Sequence, residues 1–144
     1  MLGFLYAVVA GAAMSIQGVM NTRLGEKIGV LETNAFVQLV GFVLALVIAL
    51  FFGKGNWSLL TQSPWYTLLG GVLAPVITVT VMLSIKGLSP TIAISTILLS
   101  QLTVAALIDA IGLMGTEKIP FSWHKWVGAA LMAGGVLLMK MKTT

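Results

Sequence analysis

The chain alternates between long apolar segments and short polar links. A helix needs about 20 apolar residues to cross the hydrocarbon layer of a membrane, and five segments reach or approach that length. We predict membrane-spanning helices at residues 2–21, 30–52, 65–85, 91–113 and 125–140. Between the third and the fourth, Gly87 predicts a helix end and Ser89-Pro90 a capped helix start. The pattern predicts an all-α membrane protein in which residues 1–144 form a single transmembrane domain.

The composition predicts that lipid surrounds most of the chain. Of the 144 residues, 58% are apolar and 8% are charged, whereas a soluble domain carries about 25% charged residues. The net charge is +4, but the basic residues stand singly or in pairs between apolar runs and form no stripe. This distribution excludes a nucleic-acid-binding surface. It is typical of the Lys and Arg residues that flank membrane helices.

Few residues of this chain could carry chemistry. Cysteine is absent, which excludes disulfides, thiol catalysis and Cys-based metal sites. His124 is the single histidine, so one chain cannot hold a multi-histidine metal site. The sequence also contains no recognisable pair of a nucleophile and a general base. We therefore expect no enzyme, no cofactor and no bound metal.

The basic residues give a weak prediction of orientation. Five spans place the two termini on opposite sides of the membrane. Two groups of basic residues result: Lys54, Lys118 and Lys125 on the N-terminal side, and Arg23, Lys27, Lys86, Lys140 and Lys142 on the other. The positive-inside rule places the C-terminus in the cytoplasm. Because the asymmetry is small, insertion in both orientations is an equal alternative, and two oppositely inserted copies would form an inverted repeat.

Several polar side chains fall inside the predicted spans, where they are costly and usually face protein or a water-filled cavity. Helical neighbours lie three and four residues apart, which groups these residues on faces of the first four helices. The candidates for lining a solute cavity are Gln17, Asn21, Asn34, Gln38, Thr78 and Gln101. The alternative is that each amide or hydroxyl hydrogen-bonds a neighbouring helix as a packing contact.

Asp109 is the most unusual of the intramembrane residues. It falls within the last two turns of the fourth predicted helix, where the helix dipole disfavours an anion. We favour an ion pair with Lys118, His124 or Lys125 on the same side of the membrane. The alternative is a carboxylate that titrates during proton-coupled transport. Glu32 begins the second helix, where the dipole stabilises it, and needs no further explanation.

Glycine and methionine alternate along one face of the last predicted helix. The residues of this face are Gly128, Met132, Gly135 and Met139, at intervals of four, three and four. Small side chains let helix backbones approach closely in membranes. We predict that this face contacts a second subunit, although packing within one chain would give the same pattern.

The motifs and their order resemble the drug/metabolite transporter superfamily and, within it, the five-helix YdcZ-like family. The first helix ends in Gln17-Gly-Val-Met-Asn21-Thr-Arg-Leu-Gly25, which is similar to the family pattern. The fourth begins at Ser89-Pro90 and continues through Gln101-Leu to Asp109-Ala-Ile-Gly-Leu-Met-Gly115. The last reads Trp126-Val-Gly-Ala-Ala-Leu131 and then Gly134-Gly-Val136. The resemblance covers essentially the whole chain.

The resemblance implies one half of a ten-helix transporter, which pairing would complete, since ten-helix relatives look like two such halves with inverted topology. It also implies that Gln17, Asn21, Gln101 and Asp109 belong to the family pattern, and it places the chain in a bacterial inner membrane. Small multidrug exporters of the superfamily rely on a glutamate in the first helix. This chain has no acid in residues 2–21, so export of bulky cations by that chemistry is not expected.

The leading hypothesis is a secondary transporter of a small organic solute that works by alternating access. Its expected partners are membrane lipid, the solute, and either a second copy, in an antiparallel homodimer, or a paired homologous subunit; nucleic acid is excluded. With Glu32 and Asp109 as the sole acids within the predicted spans, a neutral or weakly charged solute fits best. The alternatives are a dual-topology channel for a small ion and a non-transporting membrane subunit of a larger complex.

Overall fold

The fold is all-α. The computed structural model describes residues 1–120 and 122–141, so Lys142, counted above among the basic residues, lies outside the described residues. The five α-helices are α1 (Leu2–Ile28), α2 (Val30–Phe52), α3 (Gly70–Gly87), α4 (Pro90–Ile111) and α5 (Trp123–Met141). Three short 3-10 helices occupy Trp57–Gln62, Trp65–Leu69 and Leu113–Gly115, and the described residues contain no β-strand. The predicted fold class is confirmed.

Two helix ends differ from the prediction by more than two residues. α1 continues beyond Asn21 to Ile28, because Arg, Leu, Glu and Lys in this stretch are good helix formers. An ion pair between Arg23 and Glu26, at 3.3 Å, adds support one turn apart. At the third span, residues 65–69 form a 3-10 helix and the α-helix begins only at Gly70.

Four of the helical segments are long and apolar enough to cross a membrane: Leu2–Ile28, Val30–Phe52, Trp65–Gly87 and Pro90–Ile111. The predicted fifth span corresponds to α5, which has 19 residues but is less apolar. Its first turn contains His124 and Lys125, and Lys140 lies near its end. These polar residues confine the apolar part of α5 to residues 126–139.

The predicted start of α4 is confirmed. The Ser89 side chain accepts a hydrogen bond from the Ile92 backbone N–H at 3.4 Å, and Pro90 occupies the first helical position. At the other end, Gly112 adopts the left-handed conformation (φ 71°) that commonly closes a helix. These caps fix both ends of the helix that carries Gln101 and Asp109.

The chain consists of two compact units, Met1–Gly87 and a second unit that begins at Leu88. In the first unit, α1, α2 and α3 each contact the other two. In the second unit, α4 packs against α5. Most large apolar side chains are exposed on the surface of these units, with Leu50 at 70% and Leu131 at 72%, as expected for helices whose solvent is lipid.

Close contact between α1 and α3 organises the first unit. A Cβ atom added at Gly18 would lie 3.0 Å from Ile85 Cδ1 and 3.1 Å from Val81 Cγ1. Met82, which lies between Val81 and Ile85 in α3, is 1% exposed. The glycine therefore lets α3 approach the backbone of α1, as small residues do in membrane proteins.

Candidate solute-binding site

A group of polar residues gathers where α1, α2 and α3 meet. Asn21 is 8% exposed and Thr22 is 7% exposed on α1. The Thr22 hydroxyl donates a 2.8 Å hydrogen bond to the Gly18 carbonyl within its own helix. Thr33 lies opposite, on α2, and is completely buried. Of these residues, Asn21 was predicted as a site residue from the sequence.

The start of α2 carries two polar oxygens without partners. Thr33 Oγ1 and Asn34 Oδ1 are both buried and have no hydrogen-bond partner among the described residues. Such groups are rare in folded proteins, and each needs an explanation. Asn34 was a predicted cavity residue, whereas Thr33 was missed. The available signal was Gly25 of the Leu-Gly pair in α1, since a glycine allows a neighbouring helix to approach.

Gln38 and Thr78, both predicted cavity residues, are brought together by the fold. Gln38 Nε2 donates to Thr78 Oγ1 across the α2–α3 contact at 3.5 Å, which is long for a hydrogen bond. Thr78 Oγ1 in turn donates to the Ala74 carbonyl at 3.0 Å, next to Pro75 in the same helix. In this conformation Gln38 therefore makes the interhelical packing contact that was the alternative to cavity lining.

Gln17 and Gln101 are both exposed on the surface of their own units. Gln101 lies at the midpoint of α4, whose bounds are Pro90–Ile111. Gln17 lies about eleven residues before the end of α1, or about 16 Å along the helix. Neither side chain forms a hydrogen bond within the part of the chain that the structure describes. Their amides are therefore available to groups outside the unit that carries them.

Asp109 is half-buried near the end of α4. The link that follows folds back on it, since the Ile119 backbone N–H donates to the Asp109 carbonyl oxygen at 2.9 Å. The ion pair that we favoured is not formed with Lys118 or His124, because the described residues contain a single salt bridge, Arg23–Glu26. The link brings the aliphatic stem of Lys118 over Gly112.

On the predicted contact face of α5, Gly128 and Met139 are exposed, and Met132 and Gly135 are half-buried. Packing of α5 on α4 uses a neighbouring face that includes Ala129, which lines a small pocket of ≈ 110 Å³ with Ala106 and Leu107. Packing within the second unit therefore leaves Gly128 of this face exposed.

Two pockets lie away from the predicted cavity residues. The pocket between α4 and α5 is mostly apolar, and Trp126 is one of the residues that line it. A second pocket of ≈ 350 Å³ lies in the link after α2 and is lined by residues that include Gly53, Asn56 and Trp57. No group of three or more metal-binding side chains occurs among the described residues. Neither pocket is lined by the predicted cavity residues of α1 to α3 in this conformation.

The comparison with protein families decides the identification. The family described as "Putative inner membrane exporter, YdcZ" matches residues 2–138. This chain belongs to the YdcZ family. The comparison with curated proteins and the comparison with solved structures found no match. Membership in the YdcZ family, together with four apolar spans, places the chain in a membrane and among transport proteins.

Proposed function

We propose that this YdcZ-family chain is a secondary transporter that exports a small organic solute across the inner membrane by alternating access, as a dimer. The family description supports export. The observation that carries the rest is the exposure of two amides, Gln17 and Gln101, deep within apolar spans. Burying an amide in an apolar medium without a hydrogen bond costs about 2–7 kcal/mol. A second protein surface or a polar pathway therefore covers them.

A dimer provides both a second protein surface and a polar pathway next to these amides. Five helices in one chain are half of what the family resemblance implies, and a second copy brought against Gln17 and Gln101 would enclose a pathway lined by amides. The exposed Gly128 on α5 offers a surface for close helix packing between subunits. Opposite insertion of the two copies would give the inverted repeat that alternating access uses in many transporters.

The solute that fits best is neutral or weakly charged. The membrane-spanning segments hold few acids, and Glu32 lies at the exposed start of α2. Amide and hydroxyl groups bind hydroxyls, amides and carbonyls without a net charge. Asp109, half-buried without an ion pair to Lys118 or His124, is the candidate for proton coupling.

Export is tested by comparing small molecules in the medium of cells that express the chain with those of cells that lack it. We expect at least one small organic solute to accumulate outside, and Gln101→Leu to reduce its export by about two- to tenfold, because one hydrogen bond contributes about 0.5–1.5 kcal/mol. Untargeted mass spectrometry of the medium measures the accumulation whatever the chemical identity of the solute.

The matched control is Val104→Leu, which changes another exposed side chain of α4 and keeps it apolar. It should export at the level of the unchanged chain. No exported solute in any condition would argue against a transporter, and unchanged export by Gln101→Leu would argue that this amide lies outside the pathway. Large single-channel currents from the reconstituted protein would instead favour an ion channel.

Orientation is tested by a single cysteine at the C-terminus, since the natural chain contains none. We expect Thr144→Cys to react with a membrane-impermeant thiol reagent in two populations, one from each side of the membrane, because the two copies insert oppositely. The measurement is labelling of intact cells and of inverted vesicles. Labelling from the cytoplasmic side alone would contradict antiparallel pairing and point to a partner subunit or a parallel dimer.

A further inference from the structure

Two buried side-chain oxygens at the start of α2, Thr33 Oγ1 and Asn34 Oδ1, lack hydrogen-bond partners among the described residues. Thr33 has 0% exposure, so water does not reach its hydroxyl in this conformation. Asn34 Oδ1 is buried as well, and neither atom has a hydrogen-bond partner in residues 1–120 and 122–141. Because buried polar atoms without partners cost free energy, the retention of both atoms needs an explanation.

The hydroxyl of Thr33 also differs from those of the other helical threonines. Five of them donate to the carbonyl four residues earlier in their own helix: Thr22, Thr78, Thr80, Thr96 and Thr103. The equivalent acceptor for Thr33 is the Gly29 carbonyl, which takes only the Thr33 backbone N–H at 3.1 Å. The Thr33 hydroxyl instead lies toward α1, where its oxygen is 3.7 Å from the position of a Cβ atom on Gly25.

The Met82 sulfur lies beside the Thr33 hydroxyl, 3.6 Å from the same Cβ position on Gly25, and the Glu32 carboxylate is turned over Gly29. The nearby side chains on the same helix faces are polar and uncharged. Asn21, 8% exposed, lies one turn before Gly25 on the same face of α1. Gln38 lies one turn beyond Asn34 on α2 and contacts Thr78 of α3. A metal cation generally requires carboxylates or many oxygen ligands, and the uncharged residues of these faces supply no carboxylate. A hydroxyl and a carbonyl oxygen are suited to accept hydrogen bonds from a neutral donor.

We infer that Thr33 and Asn34 form a hydrogen-bond-accepting subsite for a hydroxyl or amide N–H group of a neutral solute. The inference rests on the proposed export function and names the class of solute for it. The described conformation has this end of the first unit closed. Opening it requires α2 to move away from α1, and Gly29 between them (φ 101°, ψ 151°) provides a backbone conformation that other residues rarely adopt.

The direct test uses acetamide, which has two N–H donors, and N,N-dimethylacetamide, which has the same carbonyl but no donor. Each is added to the purified protein, and the midpoint of thermal unfolding is measured. We expect acetamide to raise the midpoint relative to dimethylacetamide in the natural chain. This difference should disappear in Thr33→Val, which keeps the shape of the side chain and removes its hydroxyl, and in Asn34→Leu.

Two further variants separate recognition from packing. Thr80→Val removes a hydroxyl of α3 that already donates to the Val76 carbonyl, so it should keep the acetamide effect. Thr33→Ser keeps the hydroxyl and should keep the effect as well. Absence of the effect from the natural chain, or its persistence in Thr33→Val, would overturn the subsite.

The export assay distinguishes failure of the subsite from failure of the proposed function. We expect Thr33→Val to reduce export by about two- to tenfold, as for the loss of one hydrogen bond, while Thr80→Val exports normally. Export that is equal in the natural chain, Thr33→Val and Thr80→Val would retain the transporter and overturn the subsite. No export by the natural chain would overturn the transporter itself, whereas the acetamide result would still decide whether the subsite binds donors.

Discussion

Met82→Ala is expected to destabilise the first unit by about 2 kcal/mol. Met82 is among the largest completely buried side chains, at 1% exposure, and its sulfur lies 3.6 Å from the position of a Cβ atom on Gly25. Removing a buried methionine side chain costs about 2–5 kcal/mol in soluble proteins. The lower end applies here, because lipid is as apolar as the helix contact and the loss is mainly one of packing. Thermal unfolding followed by tryptophan fluorescence measures it.

Leu83→Ala is the matched control for this substitution. Leu83 is the next residue in α3, but 52% of it is exposed. Its truncation should change the stability by less than about 0.5 kcal/mol, as for surface positions. Equal destabilisation by the two variants would mean that α3 does not use the Met82 face to pack against α1 and α2.

The second large effect is expected for Asp109→Asn in the response of export to a pH gradient. If Asp109 carries the coupled proton, one pH unit supplies about 1.4 kcal/mol per proton, or about tenfold in solute accumulation. Asparagine has nearly the same shape but takes up no proton in this range, so the tenfold response should be lost. The measurement is solute efflux from proteoliposomes with and without an imposed gradient.

Glu117→Gln provides the control for charge removal. Glu117 is an exposed acid in the link between α4 and α5, close in sequence to Asp109. This variant should keep the full response to the gradient. A response that survives in Asp109→Asn would exclude this carboxylate as the coupling group and leave facilitated diffusion or another ion as the driving mechanism.

The number and order of the helices could be predicted from the sequence because lipid imposes a simple length rule on apolar segments. The ends were less predictable. Helix α1 runs past Asn21 because Arg23, Glu26 and their neighbours continue the helix into the polar link until Gly29 interrupts it. The fifth helix was found, but its charged first turn leaves it outside the four clearly spanning segments.

The structure brings together some of the residues that the sequence offered as site candidates. Gln38 and Thr78 were two of these candidates, and they contact each other between α2 and α3. Spacing within one helix could not reveal the burial of Thr33, because that depends on the approach of α1 at Gly25. The ion pair expected for Asp109 failed with Lys118 and His124 because the path of the link after α4, set by the left-handed turn at Gly112, is not encoded in residue spacing.

The short apolar part of α5 has a consequence for the surrounding bilayer. Residues 126–139 rise about 21 Å, whereas the hydrocarbon layer is about 30 Å thick. The resulting hydrophobic mismatch is relieved by local thinning of the bilayer or by Lys125 and Lys140 extending toward the headgroups. Pairing of two copies through α5 would shield this region from lipid. If α5 spans the bilayer and the copies pair through it, as proposed, bilayer thickness would regulate assembly, with thicker membranes favouring the paired state.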